Sequence, residues 1–322
     1  MKKARNINIR TKQKQPEQSD RILFFDILRI LFVALIVYGH AKWIVIPWFN
    51  NTFFADGFSP FNIYTLGLTG DAVYGMIFVS GAVMEYNYRS ISRFSDYTRF
   101  IFRRFIRVYP AFWMSLVLGI ILAPAVLQNN LPGALFEFTG FYVILGQGPG
   151  VINTMGWFIA AIFSLYLLYP ILSRIVRKYQ MTAVICFCVI SWGLRFVELT
   201  YNPVPLSLFY RWFPLFNAFE FCLGIYIVQK KWYPVTKNIY PAVRKLADLS
   251  YYVFLFHVMV INAFVFAFFD KYITHNSLTV YSLFYFGVMG MVVLVSWVAM
   301  MLDNTIHQMI SRNKRVREFL KP

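Results

Sequence analysis

The sequence predicts an all-α, polytopic membrane protein: a transmembrane helix bundle of about eight to ten spans with both termini in the cytoplasm. Hydrophobic residues make up 59% and aromatic residues 20% of its 322 positions, and long apolar runs recur along the chain. Most of its 31 Lys and Arg fall beside those runs, in five clusters at 1–21, 89–107, 174–178, 230–245 and 312–321. The positive-inside rule assigns such clusters to the cytoplasm, so membrane topology explains the net charge of +17 and nucleic-acid binding is not expected.

The apolar runs define the predicted elements in order. Eight runs are long enough to cross a bilayer, at 22–46, 64–86, 105–127, 155–172, 181–199, 212–228, 249–269 and 280–302. A ninth run at 134–146 is short, and both of its flanks face outside, which favours a re-entrant or interfacial segment; a further pair of spans is the alternative. We therefore expect one membrane domain at 22–303, a basic disordered tail at 1–21 and a basic cytoplasmic tail at 304–322, in the cell membrane.

The first span carries the best clue to function, an Arg and a His inside an apolar helix. Arg29 and His40 are eleven residues apart, which places them on one helix face about 16 Å apart along the axis. Asp26 lies on the same face and can pair with Arg29. His40, about mid-membrane, is either a packed and hydrogen-bonded residue or a general base. Arg29 is either an interfacial anchor or part of the same site.

A basic run begins the third span, where Arg103, Arg104 and Arg107 lie close together. Guanidinium groups bind phosphate oxygens in a forked geometry, so these residues can cradle a cytoplasmic donor with several phosphates, such as an acyl-coenzyme A. A cluster of charges that stops membrane insertion is the alternative interpretation.

Other polar residues in the spans have open interpretations. His257 is either a packed histidine or a functional one, and Ser80 with Gly81 favours close approach of two helices. Four acidic residues in or near spans can pair with Arg195 or Arg211, namely Asp71, Glu85, Glu198 and Glu220. The pattern of acidic, His and Cys residues indicates no metal site, so no metal is expected.

Several segments, taken in order, resemble the acyltransferase-3 family of integral membrane enzymes. That family transfers acyl groups, usually acetyl, to hydroxyls of glycans, lipids or small molecules. The matching segments are the DILR start and the Arg-x10-His spacing at 26–40, MIFVSGAVM at 76–84, RRFIRVYPAFW at 103–113, GWFIAAIFSLYLLYP at 156–170, and the pair FEFCLGIYI at 219–227 and LSYYVFLFHVMVI at 249–261.

The resemblance implies an O-acyltransferase that uses acyl-CoA, first of all acetyl-CoA, and an acceptor that is a glycan or lipid-linked saccharide. It implies roles for ten residues: catalysis by Asp26, Arg29 and His40, donor binding by Arg103, Arg104 and Arg107, and substrate binding by Ser80, Trp157, Tyr166 and His257. Many members carry Glu five residues after the Trp, where this chain has Ile162. That departure suggests a branch that transfers succinyl or acetyl groups to polysaccharides.

Two other functions are compatible with the sequence. A transporter or flippase of a polysaccharide precursor would use Arg29 and His40 to line a polar path, and it would move substrate without acyl-CoA. A structural subunit of a cell-envelope assembly would tolerate loss of His40.

Overall fold

The computed structural model describes residues 21–53, 68–88, 91, 93–145, 148–201, 213–236, 240–265 and 278–320. Within these ranges the chain is helical and contains no β-strand, as the apolar runs predict. The predicted N-terminal tail lies almost wholly outside the described residues. So do most of the segments that join the helices on the side opposite the basic clusters.

Eleven α-helices fall within the described ranges. They are α1 (Leu23–Phe53), α2 (Leu68–Asn87), α3 (Phe94–Leu122), α4 (Ala125–Asn129), α5 (Leu131–Glu137), α6 (Gly156–Tyr179), α7 (Met181–Tyr201), α8 (Ala218–Lys230), α9 (Pro241–Phe264), α10 (Leu278–Arg312) and α11 (Lys314–Phe319). Two 3₁₀ turns accompany them, at Tyr142–Leu145 and Pro214–Phe216. The predicted tail at 304–322 begins inside α10, which runs without a break to Arg312.

Six of these helices are long and apolar enough to cross a membrane: α1, α3, α6, α7, α9 and α10. Each matches a predicted span, whereas the other two predicted spans match α2 and α8. Helix α8 has only 13 residues, about 20 Å, because a proline-led 3₁₀ turn occupies the start of the predicted 212–228 span. The count of eight to ten spans and the orientation of the termini stay predictions. The run at 134–146 forms part of α5 and a 3₁₀ turn within its described residues.

Glycines let α2 and α8 pack with their backbones in contact. A Cβ atom on Gly81 would collide with the carbonyl oxygen of Phe221, and one on Gly224 would collide with that of Phe78. Gly81 of α2 and Gly224 of α8 therefore both permit the close crossing of these two helices, as the small residues at 80–81 predict. Helix α1 packs against α2 and α9, and α9 in turn packs against α10.

Buried ionic groups fix the neighbouring helices. Glu85 at the end of α2 is 2% exposed and joins α2 to α6 and α8. Its carboxylate accepts from Tyr169, Ser173, Arg177 and Gln229, at 2.6–3.1 Å. Arg195 of α7 forms a bidentate pair with Glu220 of α8, at 2.9 Å for both bonds, which confirms that Glu220 can serve as its partner.

A second buried carboxylate organises the loop that leads into α6. Glu137 is 1% exposed and accepts from the backbone N–H groups of Val151, Ile152 and Asn153 at 2.7, 2.7 and 2.9 Å. Burial raises the pKa of its carboxyl, while the three N–H groups oppose that shift because they favour the ionised form.

Asn153 extends this arrangement to two further helices. Its side-chain amide donates to the Ser115 hydroxyl of α3 and the Leu255 carbonyl of α9, at 2.9 and 3.0 Å. Its carbonyl oxygen accepts from the Met155 N–H just before α6. The start of α6 is therefore held in a fixed place relative to α3 and α9, which both contribute to the site described below.

Candidate active site

The helices enclose a small cavity at the end of the bundle where the basic residues collect. Its volume is about 110 Å³, and its lining comes from α1, α2, α3, α6 and α9. Five of the ten site residues predicted from the sequence line it: Arg29, Ser80, Arg104, Arg107 and Tyr166. The structure thus brings together residues that lie up to 137 positions apart in the sequence.

Three guanidinium groups give the cavity a positive character. Arg104 donates to the Tyr88 hydroxyl at 2.7 Å and lies over its ring, 5.0 Å from the centroid. The Nε of Arg104 is buried and has no hydrogen-bond partner among the described residues. A buried guanidinium N–H without a partner is costly.

Acidic residues balance this charge only in part. Asp26 is buried and pairs with Arg21 at 2.7 Å, and it lies 3.9 Å from Arg29. The predicted contact between Asp26 and Arg29 is therefore present, although Arg21 is the closer partner. Asp248 of α9 bridges Arg21 at 2.8 Å and Arg107 at 3.5 Å.

Polar groups on α2, α6 and α9 complete the lining. The Ser80 hydroxyl lies 3.5 Å from that of Tyr166, and Tyr251 donates its hydroxyl to the Val108 carbonyl at 2.9 Å. The rest of the lining is largely apolar, from Met76, Val83, Met84, Val108, Phe158 and Ile162. Ile162, five residues after Trp157, forms part of this apolar wall.

The two central histidines meet across the interface between α1 and α9. His257 Nε2 lies 3.2 Å from His40 Nδ1, and the two rings pack edge to face with centroids 4.9 Å apart. His257 is fully buried, whereas His40 is partly buried. The sequence singled out both residues, but it did not predict this contact.

Backbone carbonyls around the pair determine which nitrogens carry protons. His257 Nδ1 lies 3.0 Å from the Val253 carbonyl and 2.8 Å from the Phe254 carbonyl, so it must be a donor. In the neutral ring its Nε2 is then an acceptor. His40 Nδ1 faces that acceptor and the Ile36 carbonyl at 2.9 Å, so it also carries the proton. The remaining nitrogen, His40 Nε2, holds the lone pair that can accept a proton.

Two phenylalanines separate the cavity from the histidine pair. Phe158 lines the cavity and packs against Phe254, with ring centroids 4.7 Å apart. Phe254 in turn contacts the His257 ring, at 6.2 Å between centroids. Both phenylalanines are buried, and their ring contacts connect the cavity lining to His257.

The other five predicted residues do not line the cavity, and two of them, Arg103 and Trp157, have contacts elsewhere. Arg103 donates to the Leu320 carbonyl at 2.6 Å and so holds α11 against α3. Trp157 packs edge to face against Phe158 and does not line the cavity.

Phe158, Asp248 and Tyr251 are among the residues around the site that were not predicted from the sequence. Asp248 is an acidic residue within a basic segment, PAVRKLAD, and that local contrast was the available signal. Phe158 and Tyr251 carry no such signal because their roles depend on contacts between distant helices.

Comparisons with known proteins identify the family of this chain. The family described as an acyltransferase domain, acyltransferase-3, matches residues 22–242, which include most of the cavity lining. The chain is 27% identical over 200 residues to the acyltransferase MdmB of Streptomyces mycarofaciens. That match covers 55% of this chain and spans about half the length of the relative. No solved structure matches significantly.

The family match extends over more than half of the chain and confirms the resemblance found in the sequence motifs. Several apolar helices of spanning length accompany it, as a membrane enzyme requires. The chain therefore belongs to the acyltransferase-3 family.

Proposed function

We propose that this protein is an O-acyltransferase that moves an acetyl or succinyl group from cytoplasmic acyl-CoA to a hydroxyl of a cell-surface glycan or lipid-linked saccharide. The observation that carries the proposal is one cavity lined by three guanidinium groups and connected to a histidine pair through the ring contacts of Phe158 and Phe254. The guanidinium groups can bind the phosphates of a donor, and His40 can act as the base for the hydroxyl of an acceptor.

The donor would bind through its phosphates. Arg29, Arg104 and Arg107 all line the cavity. Charge-assisted hydrogen bonds from guanidinium groups to phosphate are among the strongest that proteins make. The cavity holds only part of so large a donor, so its remainder would extend into the cytoplasm while the acyl end points toward Phe158.

The histidine pair supplies the base. His40 Nε2 would take the proton of the acceptor hydroxyl as its oxygen attacks the thioester carbonyl. The C–S bond then breaks, and the imidazolium returns the proton to the departing thiolate. During this step His257 Nε2 accepts a hydrogen bond from His40 Nδ1–H, which orients the ring and stabilises its transient positive charge.

A covalent route uses the same atoms in a different order. His40 Nε2 would attack the thioester, release the thiolate and hold the acyl group until the acceptor oxygen displaces it. Trapping of a labelled protein that is lost in His40→Ala would favour this route over direct transfer.

The test is transfer of label from isotopic acetyl-CoA or succinyl-CoA into lipid and glycan fractions of vesicles that hold the protein. We expect label with wild type and a loss of about 10²-fold or more in His40→Ala, the usual contribution of a general base. Arg104→Gln should raise the KM for the donor, whereas Arg99→Gln, which changes a partly exposed arginine of the same helix paired with Asp96, should not.

Equal label transfer by wild type and His40→Ala would contradict the assignment of the base. Movement of a lipid-linked saccharide across the vesicle membrane without acyl-CoA, and without label transfer, would instead support the transporter or flippase alternative.

A further inference from the structure

A second, larger cavity lies on the opposite face of α3 from the arginines. It is a groove of about 560 Å³ between α3, α9 and α10, within the range of ligand-binding pockets. All of its lining side chains are apolar or aromatic: Phe105, Ile106, Pro110, Trp113, Met114, Val117, Leu118, Ile121, Phe256, Val295, Val298, Ala299, Leu302, Ile306 and Ile310. The indole N–H of Trp113 donates to the Phe138 carbonyl at 2.8 Å, so it offers no free polar group to a ligand.

The groove follows the helix axes over a long distance. On α3 it extends from Phe105 to Ile121, about 24 Å at 1.5 Å per residue, and on α10 from Val295 to Ile310, about 22 Å. These lengths exceed half of a hydrocarbon core of about 30 Å. The shape and lining therefore suit one extended hydrocarbon chain from a single leaflet.

Basic residues collect at one end of the groove. Helix α11 follows directly after α10 and lies against the start of α3, through the ring contact of Phe102 with Phe319 and the bond from Arg103 to Leu320. It thus bridges the two helices at the end lined by Phe105 and Ile310. Four exposed basic side chains lie in this short segment beside the single acid Glu318, namely Arg312, Lys314, Arg315 and Arg317.

We propose that this groove binds an acyl chain of an anionic phospholipid, whose headgroup phosphate is held by Lys314 and Arg315. The apolar lining excludes a polar occupant, and the basic end selects a negatively charged headgroup over a zwitterionic one. This proposal is independent of the acyl transfer reaction, because the groove and the arginine cavity lie on different faces of α3.

The test compares lipid binding by the purified full chain, using native mass spectrometry and thermal unfolding with added phosphatidylglycerol or phosphatidylcholine of identical chains. We expect phosphatidylglycerol to bind more tightly and to raise the apparent Tm more. The double variant Lys314→Gln, Arg315→Gln should weaken that binding roughly 30-fold, at about fivefold for each basic residue near an anionic group. Arg244→Gln, Lys245→Gln, an exposed basic pair at the start of α9, is the matched control and should bind as wild type does.

A second pair of variants tests the groove itself. Val298 lines the groove and is 44% exposed, so Val298→Trp should fill the groove, without disturbing the core, and lower retention of the lipid. Leu294→Trp changes a residue of similar exposure that does not line the groove, and it should have no effect. Three results would each overturn the proposal. The first is equal binding and an equal rise in apparent Tm with the two lipids, and the second is a rise in apparent Tm with inorganic phosphate as large as with the lipid. The third is that the wild type is a dimer and that Val298→Trp converts it to a monomer.

Discussion

His257 Nε2 lies 3.2 Å from His40 Nδ1, and both nitrogens belong to rings whose tautomers are set by neighbouring carbonyls. This contact makes His257 a positioning residue for His40 in the proposed reaction. It has the place that a carboxylate takes in many catalytic triads, but it carries no fixed negative charge.

The first prediction concerns the chemistry of this positioning residue. His257→Ala should lower kcat at least about tenfold, a part of the ~10²–10⁴ that a general base contributes, with the KM for the donor unchanged. His257→Gln should retain more activity, because the Gln amide can both accept from His40 and donate to a carbonyl. Steady-state kinetics checks this; an equal loss in both variants together with a raised KM would indicate a packing role.

The second prediction concerns Asp248, which competes with the donor phosphates for Arg107 in the proposed reaction. Asp248 lies 3.5 Å from the Arg107 guanidinium, and both side chains are partly exposed. Asp248→Asn should lower the KM for acyl-CoA about two- to fivefold, the range of an exposed ion pair, and leave kcat unchanged. The effect should shrink as salt is added.

Asp96→Asn is the matched control for that variant, since it breaks a similar exposed pair with Arg99 on the same basic side. A raised KM in Asp248→Asn would mean that Asp248 orders Arg107 for the donor rather than competing with it.

The third prediction concerns the aromatic wall between the cavity and the histidines. Phe158→Ala should raise kcat/KM for acyl-CoA donors with longer chains relative to acetyl-CoA by about tenfold, because it opens space where Phe158 meets Phe254. Phe216→Ala removes a comparable buried ring outside the site and controls for general loosening. If the ratio of kcat/KM values for longer donors and acetyl-CoA is unchanged in Phe158→Ala, residues other than Phe158 select the acyl group.

The fourth prediction concerns stability. Gly81→Ala would push a methyl group into the Phe221 carbonyl and should cost about 1–3 kcal/mol, seen as a lower apparent Tm in detergent. Gly290→Ala in α10 meets nothing within 4 Å of its new Cβ and should unfold as wild type does. A similar Tm for the two variants would show that α2 and α8 can separate at little cost.

Much of the site was predictable because its residues occur in short motifs. Arg29, Arg104, Arg107 and Tyr166 were chosen from spacing and family resemblance, and they line one cavity. Helical periodicity and the cost of burying charge make such residues visible in a sequence.

The remainder depended on how distant helices pack. The contact of His40 with His257 joins residues 217 positions apart, and the bridge from Asp248 to Arg107 joins residues 141 apart. A periodic pattern describes one helix face and does not identify the face opposite. The length of helix α8 was overestimated from the sequence. The apolar run at 212–228 is long enough to span a membrane, and the turn at Pro214 does not interrupt its apolar character.

The arginine cavity has a consequence for the protein without its donor. Arg29, Arg104 and Arg107 face one space of about 110 Å³, where like charges repel each other and few acids offset them. A polyanion bound there would act as a counterion, and it would bind the folded chain in preference to the unfolded one. The folded protein should therefore resist heat better with coenzyme A present, and the gain should follow ligand concentration as mass action requires.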